Sequence, residues 1–475
     1  MRIVLVHPAG SNWIPGRPDV TTAANRMAPI GILSMAAFLG NGPHEIHVHD
    51  CLGPFAPTGH EANALAILAL DPDLVGFSTT TSAFLDACDM AGLIKEARPG
   101  VRTVFGGVHV SAMGAELLHR FPVIDCLVVG EGEQTLAELA EGRDPASIDG
   151  LIWRDGESVA VNPPRQHLPE LDDLPFPSYE KLTGFPGRYR LPPFSYVDVP
   201  GATLITSRGC VYQCSYCDRS VFHRGFRFNS ADYIYEHLRF LSTRFGVRHV
   251  NVYDDLFTTN RARIEALCLR LAREPLQLRF NCAVHAGHAD DGLLELLRDA
   301  RCLMISIGIE SGDPELLERH KASVTLDQVR DTVRRIQAHG LRAKGLFMMG
   351  LPGETPATVE RTAAFVLSLG LDDMNMSKFT PFPGAPCWET IRDHGAFDED
   401  WRRMNCLNFV FVPKDFESCD QLDRSYNRFV RSFYTDKKWR RKALSRTWQH
   451  RNTLWHMLVN ARSFMAARRY FDSNR

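Results

Sequence analysis

The sequence predicts an α/β protein: a doubly wound, Rossmann-like (flavodoxin-like) sheet, then a partial (β/α)6 barrel, then a helical C-terminal region. Residues 1–142 and 201–395 each alternate short apolar segments with amphipathic helical segments, which is the pattern of βαβ units. Residues 143–200 hold a hairpin and a proline-rich linker, and residues 396–475 are helical and basic. We therefore expect four parts with boundaries at 142, 200 and 395.

The first part contains five predicted strands separated by helices. The strands are 2–6, 45–49, 74–77, 102–105 and 126–129. Polar and glycine residues follow the third, fourth and fifth strands, where ligands of open α/β sheets bind. The candidate cofactor-binding residues there are Ser78, Thr79, Thr80, Gly106, Gly107, Gly130, Glu131 and Gly132. Each group is also compatible with an ordinary turn between a strand and a helix.

The second part connects two α/β units. Residues 150–161 alternate as a β-hairpin that turns at Asp155-Gly156, a favoured dipeptide for tight hairpin turns. Nine prolines follow between positions 163 and 200, too many for helices or central strands. We expect this segment to pack over the surface as a linker.

The third part repeats a strand–helix unit six times. Its predicted strands are 202–206, 248–253, 277–283, 303–309, 344–349 and 374–379. Units of similar length make consecutive strands neighbours in a closed or partly closed barrel. Active residues of barrels lie on the loops after the strands. The cysteine, carboxylate and glycine motifs of this half all stand on such loops.

Composition excludes several classes of protein. The chain has 475 residues, of which 44% are hydrophobic and 23% charged, values typical of a globular protein. A net charge of −2 argues against nucleic-acid binding. No apolar run approaches the ~20 residues of a membrane span. Pro8 and Gly10 interrupt the N-terminus too soon for a secretory signal, so we expect a cytoplasmic protein.

The small net charge conceals an asymmetry. Residues 431–475 contain twelve Lys or Arg and two Asp, a net of +10, so residues 1–430 carry −12. The basic segment alternates as a helix with Trp, Phe and Tyr among the arginines. Such a helix either covers the barrel with a solvated outer face, or contacts an anionic membrane surface or an acidic substrate.

Twelve cysteines are present, and three are clustered. Nine are scattered singly, as small buried residues usually are. Cys210, Cys214 and Cys217 instead fall within eight residues on the loop after the first barrel strand. Three close thiolates suit a soft metal or an iron–sulfur cluster. Structural zinc is the weaker alternative, because it usually takes four ligands in two separated pairs.

An incomplete ligand set points to catalysis. A cluster that only carries electrons usually has four protein thiolates. Three cysteines leave one iron of a cubane cluster open to an external molecule. The sequence therefore favours a cluster that binds a reactant.

The Cys210-x3-Cys214-x2-Cys217 spacing, with Tyr216 before the last cysteine, resembles the signature of the radical S-adenosylmethionine (SAM) superfamily. Segments 253–258, 308–313, 350–355 and 381–384 agree with that family in their order. With its N-terminal half, the chain is similar to cobalamin-binding radical SAM enzymes. These include the anaerobic magnesium-protoporphyrin ester cyclase, hopanoid-modifying enzymes and class B methyltransferases. Val211 departs from many relatives, which have proline there.

The resemblance implies a [4Fe–4S] cluster on the three cysteines and reductive cleavage of SAM to methionine and a 5′-deoxyadenosyl radical. It implies that Asp254 and Asp255 contact the methionine amino group, for which a carboxylate is suited. Glu310 and Ser311 would contact the ribose or the methionine portion. The alternatives are helix capping for the aspartates and turn formation around Ser311.

Three further positions belong to the implied SAM site. Gly350 and Glu354 end the fifth barrel strand, where close backbone approach suits adenine, although a plain strand–helix turn also explains them. Tyr216 lies inside the cysteine motif. Arg208 lies two residues before the first cysteine, and we expect it to be a surface charge.

The resemblance also implies cobalamin on the N-terminal sheet. Many cobalamin domains supply an axial histidine from an Asp-x-His-x-x-Gly motif, but the stretch beginning at Asp50 has Leu52 and Phe55 at those positions. We therefore expect cobalt without a histidine ligand there. His109 reads as a loop residue or as an indirect donor to the cofactor.

We weigh three functions. The first is an enzyme that uses SAM and cobalamin to modify an unactivated carbon, by methyl transfer. The second is a radical cyclase or rearrangement enzyme acting on a tetrapyrrole, lipid or natural-product precursor. The third is a non-catalytic module that binds corrinoid and cluster. The expected partners are a small-molecule substrate and a reductant such as flavodoxin or ferredoxin, without nucleic acid, with membrane contact through the basic tail as an open alternative.

Overall fold

The structure, a computed structural model, describes residues 1–10, 26–189, 198–223, 225–321 and 323–449. Its first sheet has strands β1 (Arg2–His7), β2 (Glu45–Asp50), β3 (Leu74–Ser78), β4 (Arg102–Gly106), β5 (Cys126–Val128), β6 (Leu151–Asp155) and β7 (Ser158–Val161). Their spatial order is β2-β1-β3-β4-β5-β6-β7, and β1 to β5 are parallel. The order 2-1-3-4-5 is flavodoxin-like, which confirms the predicted sheet.

The hairpin predicted at 150–161 is β6 and β7. The structure adds its neighbour: β6 pairs antiparallel with β5, placing Trp153 opposite Cys126. The hairpin therefore extends the first sheet. Leu151 and Ile152 at the start of β6 are buried, because an added strand beside β5 covers an otherwise open sheet edge.

Helices cover both faces of this sheet. They are α1 (Ile30–Leu39), α2 (His60–Leu68), α3 (Thr81–Ala97), α4 (Val108–Met113), α5 (Glu116–Arg120) and α6 (Glu133–Ala140). Alternate residues of β1 enter different cores: Val4 and Val6 pack on one face, and Ile3 and Leu5 on the other. A continuous apolar run is what a strand buried on both faces requires.

The second sheet forms the partial barrel. The strands of this half are β8 (Gly201–Leu204), β9 (Ser207–Arg208), β10 (Arg227–Phe228), β11 (His249–Val252), β12 (Arg279–Val284), β13 (Cys302–Glu310), β14 (Arg342–Met349) and β15 (Asp373–Lys378). β8 and β11 to β15 are parallel neighbours in chain order. Within the described ranges, β8 and β15 end the sheet without pairing, so the six-stranded partial barrel is confirmed.

Local signals set the boundaries of the barrel helices. These helices are α7 (Ala231–Phe245), α8 (Arg261–Arg273), α9 (Asp291–Asp299), α10 (Pro314–Lys321), α11 (Leu326–Ala338) and α12 (Pro356–Leu369). Ser230 caps α7, and Thr355 caps α12 directly before Pro356 at the first helical position. Gly246 and Gly370 end the same two helices in the left-handed conformation.

The C-terminal region touches both sheets. It contains β16 (Gly395–Phe397), β17 (Phe411–Pro413), α13 (Cys419–Thr435) and α14 (Lys437–Gln449). Trp401 and Met404 complete a core of the first sheet, and Phe429 on α13 packs in the barrel core. On α14, Trp439 donates to the carbonyl oxygen of Asp372 at the base of β15. None of the helices in the described ranges has the length and apolarity of a membrane-spanning segment.

Candidate active site

The loop that carries the three clustered cysteines leaves the barrel beyond β8. At its root β9 pairs antiparallel with β10, so that Ser207 faces Phe228. Gly209 directly precedes Cys210 and has a φ of +88°. A Cβ at this position would collide with the carbonyl oxygen of Gly225. Only glycine meets both demands, and the loop can therefore reverse sharply before the first cysteine.

The three thiols of the loop, Cys210, Cys214 and Cys217, are free and half-buried. Among the residues that the structure describes, the one group of three potential ligand atoms lying within 4.8 Å of one another is His60, Asp86 and Asp89. The three sulfurs therefore do not all lie within 4.8 Å of one another, and they do not form a ready site for a single zinc ion, whose bonds of about 2.3 Å hold thiolates closer together. Of the other nine cysteines, Cys88, Cys126, Cys268, Cys282, Cys302 and Cys387 are buried.

A buried histidine holds the middle of the cysteine loop. The Ser215 backbone N–H donates to the His320 carbonyl oxygen at 3.1 Å. The Ser215 hydroxyl lies 2.7 Å from His320 Nδ1, and His320 Nε2 lies 2.8 Å from the Pro352 carbonyl oxygen. Burial lowers the pKa of His320, so its neutral ring donates to Pro352 and accepts from Ser215. The loop is thereby tied to α10 and to the loop after β14. Nothing in the sequence pattern singled out this histidine.

A carboxylate–lysine pair ends the fourth barrel strand beside the cysteine loop. Glu310 has a φ of +65°, a left-handed conformation that side chains rarely adopt and that often marks functional sites. Lys321 Nζ donates to Glu310 Oε1 at 2.9 Å and to the Gly308 carbonyl oxygen at 2.8 Å. Burial, with Glu310 and Cys214 nearby, raises the pKa of Tyr216. Glu310 and Tyr216 are therefore brought together as the sequence suggested, and Lys321 joins them.

The two adjacent aspartates after β11 lie in different environments. Asp254 is fully buried, and its Oδ1 accepts the backbone N–H groups of Thr206 at 2.5 Å and Ser207 at 3.2 Å. Arg263 Nη2 lies 3.6 Å from its Oδ2. Burial raises the pKa of Asp254, and the Thr206 hydrogen bonds oppose this effect. Asp254 thus joins the ends of β8 and β11 and does not face an open site, contrary to its expected role.

Asp255 faces the cysteine loop from an open cavity between the two sheets. Burial raises the pKa of Cys210 and of Cys217, and the charge of Asp255 contributes in the same direction. The carboxylate is therefore within electrostatic range of two of the three thiols. Of the two predicted aspartates, only Asp255 lines the cavity.

Three other predicted SAM contacts, Ser311, Gly350 and Glu354, form hydrogen bonds within the protein. The Ser311 hydroxyl is buried and accepts a hydrogen bond from the Asp313 backbone N–H at 3.1 Å. This contact stabilises the turn after β13. Glu354 is buried, and its Oε2 accepts the backbone N–H of Gly350. Burial raises the pKa of Glu354 to about 8. These side chains shape the turns after β13 and β14, and none of the three residues lines the cavity.

An aromatic and histidine cluster adjoins the cysteine loop, and sequence reasoning missed it. Tyr212 stacks on His285 with ring centroids 4.3 Å apart and an interplanar angle of 11°. The Tyr212 hydroxyl lies 3.1 Å from His288 Nε2. Burial lowers the pKa of His285 to about 4, which keeps this ring neutral. The loop after β12 thus supports the cysteine motif from a third side. The only local signal was the His285-x-x-His288 spacing after a strand.

The cavity lies between the carboxyl ends of the two sheets and has a volume of about 340 Å³. This volume lies within the ~300–1,000 Å³ of ordinary ligand pockets. From the first sheet, the predicted residues Ser78, Gly106, Gly107, Gly130, Glu131 and Gly132 line it. Thr79 and Thr80 do not, contrary to expectation. Thr79 is buried against the Gly106 carbonyl oxygen, and Thr80 precedes α3 at the surface.

The floor of this cavity fits a broad, flat ligand such as a corrin ring. Gly31 and Gly130 line it, and a Cβ at Gly31 would meet no atom within 4 Å, so any side chain there would enter the open space. Asp50 is the first residue of the stretch that lacks the axial histidine. Its carboxylate is hydrogen-bonded to the side chains of His7 and Tyr189. His237 is the only histidine among the described residues that line the cavity, and it lies on barrel helix α7. The first sheet thus contributes a histidine-free floor.

His109 lies away from the cavity. Its ring is fully buried against Trp401, with centroids 4.5 Å apart, and its Nδ1 is 3.2 Å from the Thr81 hydroxyl. Burial lowers the pKa of His109 to about 3. It is therefore a neutral core residue that helps the C-terminal region to dock on the first sheet, and not a donor to a cofactor.

Glu131 and Arg208 join the two sheets. Arg208 Nη1 lies 2.6 Å from Glu131 Oε1, and Arg208 Nη2 lies 2.5 Å from Glu133 Oε1. Arg227 pairs with the same Glu131 oxygen at 2.8 Å. Burial would raise the pKa of Glu131, but Arg227 and Arg208 lower it to about 2. The interpretation of Arg208 as a surface charge is therefore wrong, because its side chain is largely buried between the domains.

Comparison with known proteins agrees with both halves of this site. Residues 204–366 match the Radical SAM superfamily, and residues 16–140 match the B12 binding domain. An uncharacterised methyltransferase of Pyrococcus horikoshii is 30% identical over 444 residues, covering 92% of this chain and 93% of the relative. The anaerobic magnesium-protoporphyrin IX monomethyl ester cyclase of Rubrivivax gelatinosus is 25% identical, covering 94% of this chain and 81% of the cyclase.

Solved structures show the same fold. The cobalamin-dependent radical enzyme OxsB, with aqua-cobalamin and SAM bound, matches with a TM-score of 0.70 and 16% identity over 95% of this chain and 72% of its own. The radical SAM methyltransferase TsrM of Kitasatospora setae matches with a TM-score of 0.65 and 21% identity over 82% of this chain and 76% of its own. With both domains and the full-length relative in agreement, this chain belongs to the cobalamin-binding branch of the radical SAM enzymes.

Proposed function

We propose that this protein is a methyltransferase that uses a [4Fe–4S] cluster, SAM and cobalamin to methylate an unactivated carbon of a small molecule. The observation that carries the proposal is the single cavity shared by the two sheets. Its glycine floor comes from the first sheet, while Asp255 faces it from the barrel side beside the cysteine loop. A methyl group can pass between reactants only where both are held in one enclosed space.

The residues that line this cavity and those of the adjoining cysteine loop would divide the work. Cys210, Cys214 and Cys217 would hold the cluster, and Asp255 would bind the ammonium group of SAM. When bound, the cluster supplies an electron to SAM and cobalamin carries the methyl group. Glu310, held by Lys321, would accept hydrogen bonds from hydroxyl groups of the reactant beside the cysteine loop.

A radical SAM enzyme requires an external reductant and acts on a small-molecule substrate. We propose flavodoxin or ferredoxin as the reductant, and the cytoplasm as the location, where twelve free thiols stay reduced. We propose the same division of the chain as the sequence suggested: 1–142 for cobalamin, 143–200 as connection, 201–395 for SAM, and 396–475 as C-terminal region. Within the connection, the hairpin extends the first sheet, because β6 pairs with β5.

One experiment tests the methyltransferase proposal. The protein is reconstituted anaerobically with iron and sulfide, supplied with hydroxocobalamin, SAM and a chemical reductant, and analysed for 5′-deoxyadenosine and S-adenosylhomocysteine. Formation of both products supports methyl transfer. Cys214→Ala should lose the cluster absorbance and all 5′-deoxyadenosine. The proposal fails if Cys214→Ala stays active, or if the wild-type protein binds an intact cluster and forms neither product, as a non-catalytic module would.

A radical cyclase or rearrangement enzyme is the second candidate. The cyclase of Rubrivivax gelatinosus matches 94% of this chain, which supports the same architecture in a different reaction. Such an enzyme would form 5′-deoxyadenosine without S-adenosylhomocysteine. The product ratio in the same assay therefore separates the two candidates.

We also propose that the basic C-terminal segment contacts an anionic membrane surface. Lys437, Lys438, Arg440 and Arg441 on α14 are exposed, and Leu444 beside them is 72% exposed. Each exposed cation near an anionic surface contributes about 1 kcal/mol. Replacing the four cations by glutamine should abolish cosedimentation with phosphatidylserine vesicles at low salt. Unchanged cosedimentation, or none for the wild type, would favour a solvated helix instead.

A further inference from the structure

The ion pairs between the two sheets form a network that the proposed chemistry leaves unused. We define this interdomain ion-pair network as Glu131 and Glu133 of the first sheet with Arg208 and Arg227 of the barrel. Two carboxylates meet two guanidinium groups, so the charges balance. The side chains are 5% and 7% exposed for the glutamates, and 15% and 18% for the arginines.

The geometry of the network is unusually complete. Glu131 accepts at both oxygens: Oε1 from Arg208 and Arg227, and Oε2 from Arg227 at 3.0 Å and from the Leu168 backbone N–H at 3.2 Å. His167 Nδ1 also lies 3.2 Å from Glu131 Oε2. Arg227 also donates to the Leu168 carbonyl oxygen at 2.7 Å. Arg208 and Arg227 are paired residues of β9 and β10. A planar guanidinium fork bonded at two points resists both rotation and sliding.

The network connects the two elements whose separation matters for methyl transfer. Arg208 stands two residues before Cys210, at the root of the cysteine loop. Glu131 follows β5 and lies between Gly130 and Gly132, which line the floor of the cavity. Glu131, Glu133 and Arg208 line that cavity themselves. The loss of one of these ion pairs would therefore change the distance between the cavity floor and the cysteine loop.

We propose that the interdomain ion-pair network is a spacer that sets the distance between the cobalamin floor and the cysteine loop, and that Glu131 and Arg208 are positioning residues for methyl transfer. This inference rests on the proposed function. The reason is geometric: SAM bound at the cysteine loop can be cleaved within the barrel alone. Its methyl group reaches the opposite floor only if the two sheets are held at the right separation.

The two products of SAM should therefore respond differently when the spacer is loosened. A misplacement of about 1 Å costs a group transfer about 100-fold. Formation of S-adenosylhomocysteine requires the methyl group to cross the cavity, whereas formation of 5′-deoxyadenosine does not. We expect Glu131→Gln to lower the ratio of S-adenosylhomocysteine to 5′-deoxyadenosine about 100-fold. Arg208→Lys keeps the charge but loses the fork, so it should lower the ratio as well.

The matched control is Glu141→Gln. Glu141 follows the same helix α6, is exposed, and pairs only with the exposed Arg143 among the described residues. This variant makes the same charge change outside the network and should leave the ratio unchanged. All variants are compared at equal iron content after reconstitution. A ratio unchanged in Glu131→Gln would overturn the proposal, as would an equal fall of both products together with loss of iron.

Two measurements test the spacer independently of activity. In the cofactor-free protein, hydrogen–deuterium exchange of the peptides around 129–134 and 206–210 should rise in Glu131→Gln and stay constant in Glu141→Gln. In protein carrying cob(II)alamin and the reduced cluster, pulsed dipolar EPR should show a broader distribution of cobalt–cluster distances. Unchanged exchange and an unchanged distribution would refute the spacer. If the wild type forms no S-adenosylhomocysteine, the proposed function fails, while both of these measurements still decide the spacer.

Discussion

His320 is the residue whose removal tests the reasoning about the cysteine loop most directly. It makes three contacts that hold the loop: its carbonyl oxygen and Nδ1 both bind Ser215, and its Nε2 binds the Pro352 carbonyl oxygen. The substitution His320→Ala keeps the backbone contact and removes both ring contacts. We expect it to destabilise the protein and to loosen the loop that would hold the cluster.

The magnitude follows from the groups left behind. His320→Ala leaves the Pro352 carbonyl oxygen and the Ser215 hydroxyl without their partners at a site that is 5% exposed at the histidine. Pro352 is buried, so the loss of the partner of its carbonyl oxygen costs about 1–3 kcal/mol, whereas the half-buried Ser215 hydroxyl can turn to water and adds less. His320→Asn can still accept from Ser215 but cannot reach Pro352, so it should cost slightly less than His320→Ala.

The assay combines stability with cluster loading. Thermal or urea unfolding of the cofactor-free protein gives the change in free energy of unfolding, and iron analysis after anaerobic reconstitution gives cluster occupancy. His119→Ala, at an exposed position on α5, is the control and should change neither. Ordinary surface substitutions change the free energy of unfolding by less than about 0.5 kcal/mol. If His320→Ala changes it by no more than this and binds as much iron as the wild type, the reasoning is wrong.

Three further predictions address other parts of the site. Gly209→Ala forces a side chain into a φ of +88° and against the Gly225 carbonyl oxygen, so it should cost at least about 1–2 kcal/mol and lower iron occupancy. Gly31→Phe should abolish cobalamin retention on a desalting column while thermal stability is unchanged or higher, because a Cβ there meets only open space; Gly31→Ala should retain cobalamin. Glu354 has a pKa raised from 4.5 to about 8 in the folded protein, so its contribution to stability is present below pH 4.5 and is lost as the pH rises towards 8. Glu354→Gln should flatten that pH dependence in urea unfolding, and an unchanged slope would show that Glu354 does not cause it.

Local sequence patterns were sufficient for the elements and for the cysteine motif. All six barrel strands lie within a few residues of their predicted positions. These features depend on hydrophobic periodicity and on turn residues, which act over fewer than about 20 residues. The cysteine loop was visible because its three ligands occupy eight consecutive residues. The pairing of the hairpin with β5 was not predicted, because it depends on a neighbour that local periodicity does not reveal.

The sequence by itself determined the fold class, the order of the domains and the chemistry of the cysteine motif. Only the tertiary structure decided which neighbouring side chain meets which partner. Asp254 and Asp255 are adjacent in sequence, yet one is buried against Thr206 and the other lines the cavity. Glu131 and Arg208 are separated by 77 residues, and Ser215 and His320 by 105. Such contacts exist because packing of the two sheets buries charges that must then be paired, and no local pattern encodes that requirement.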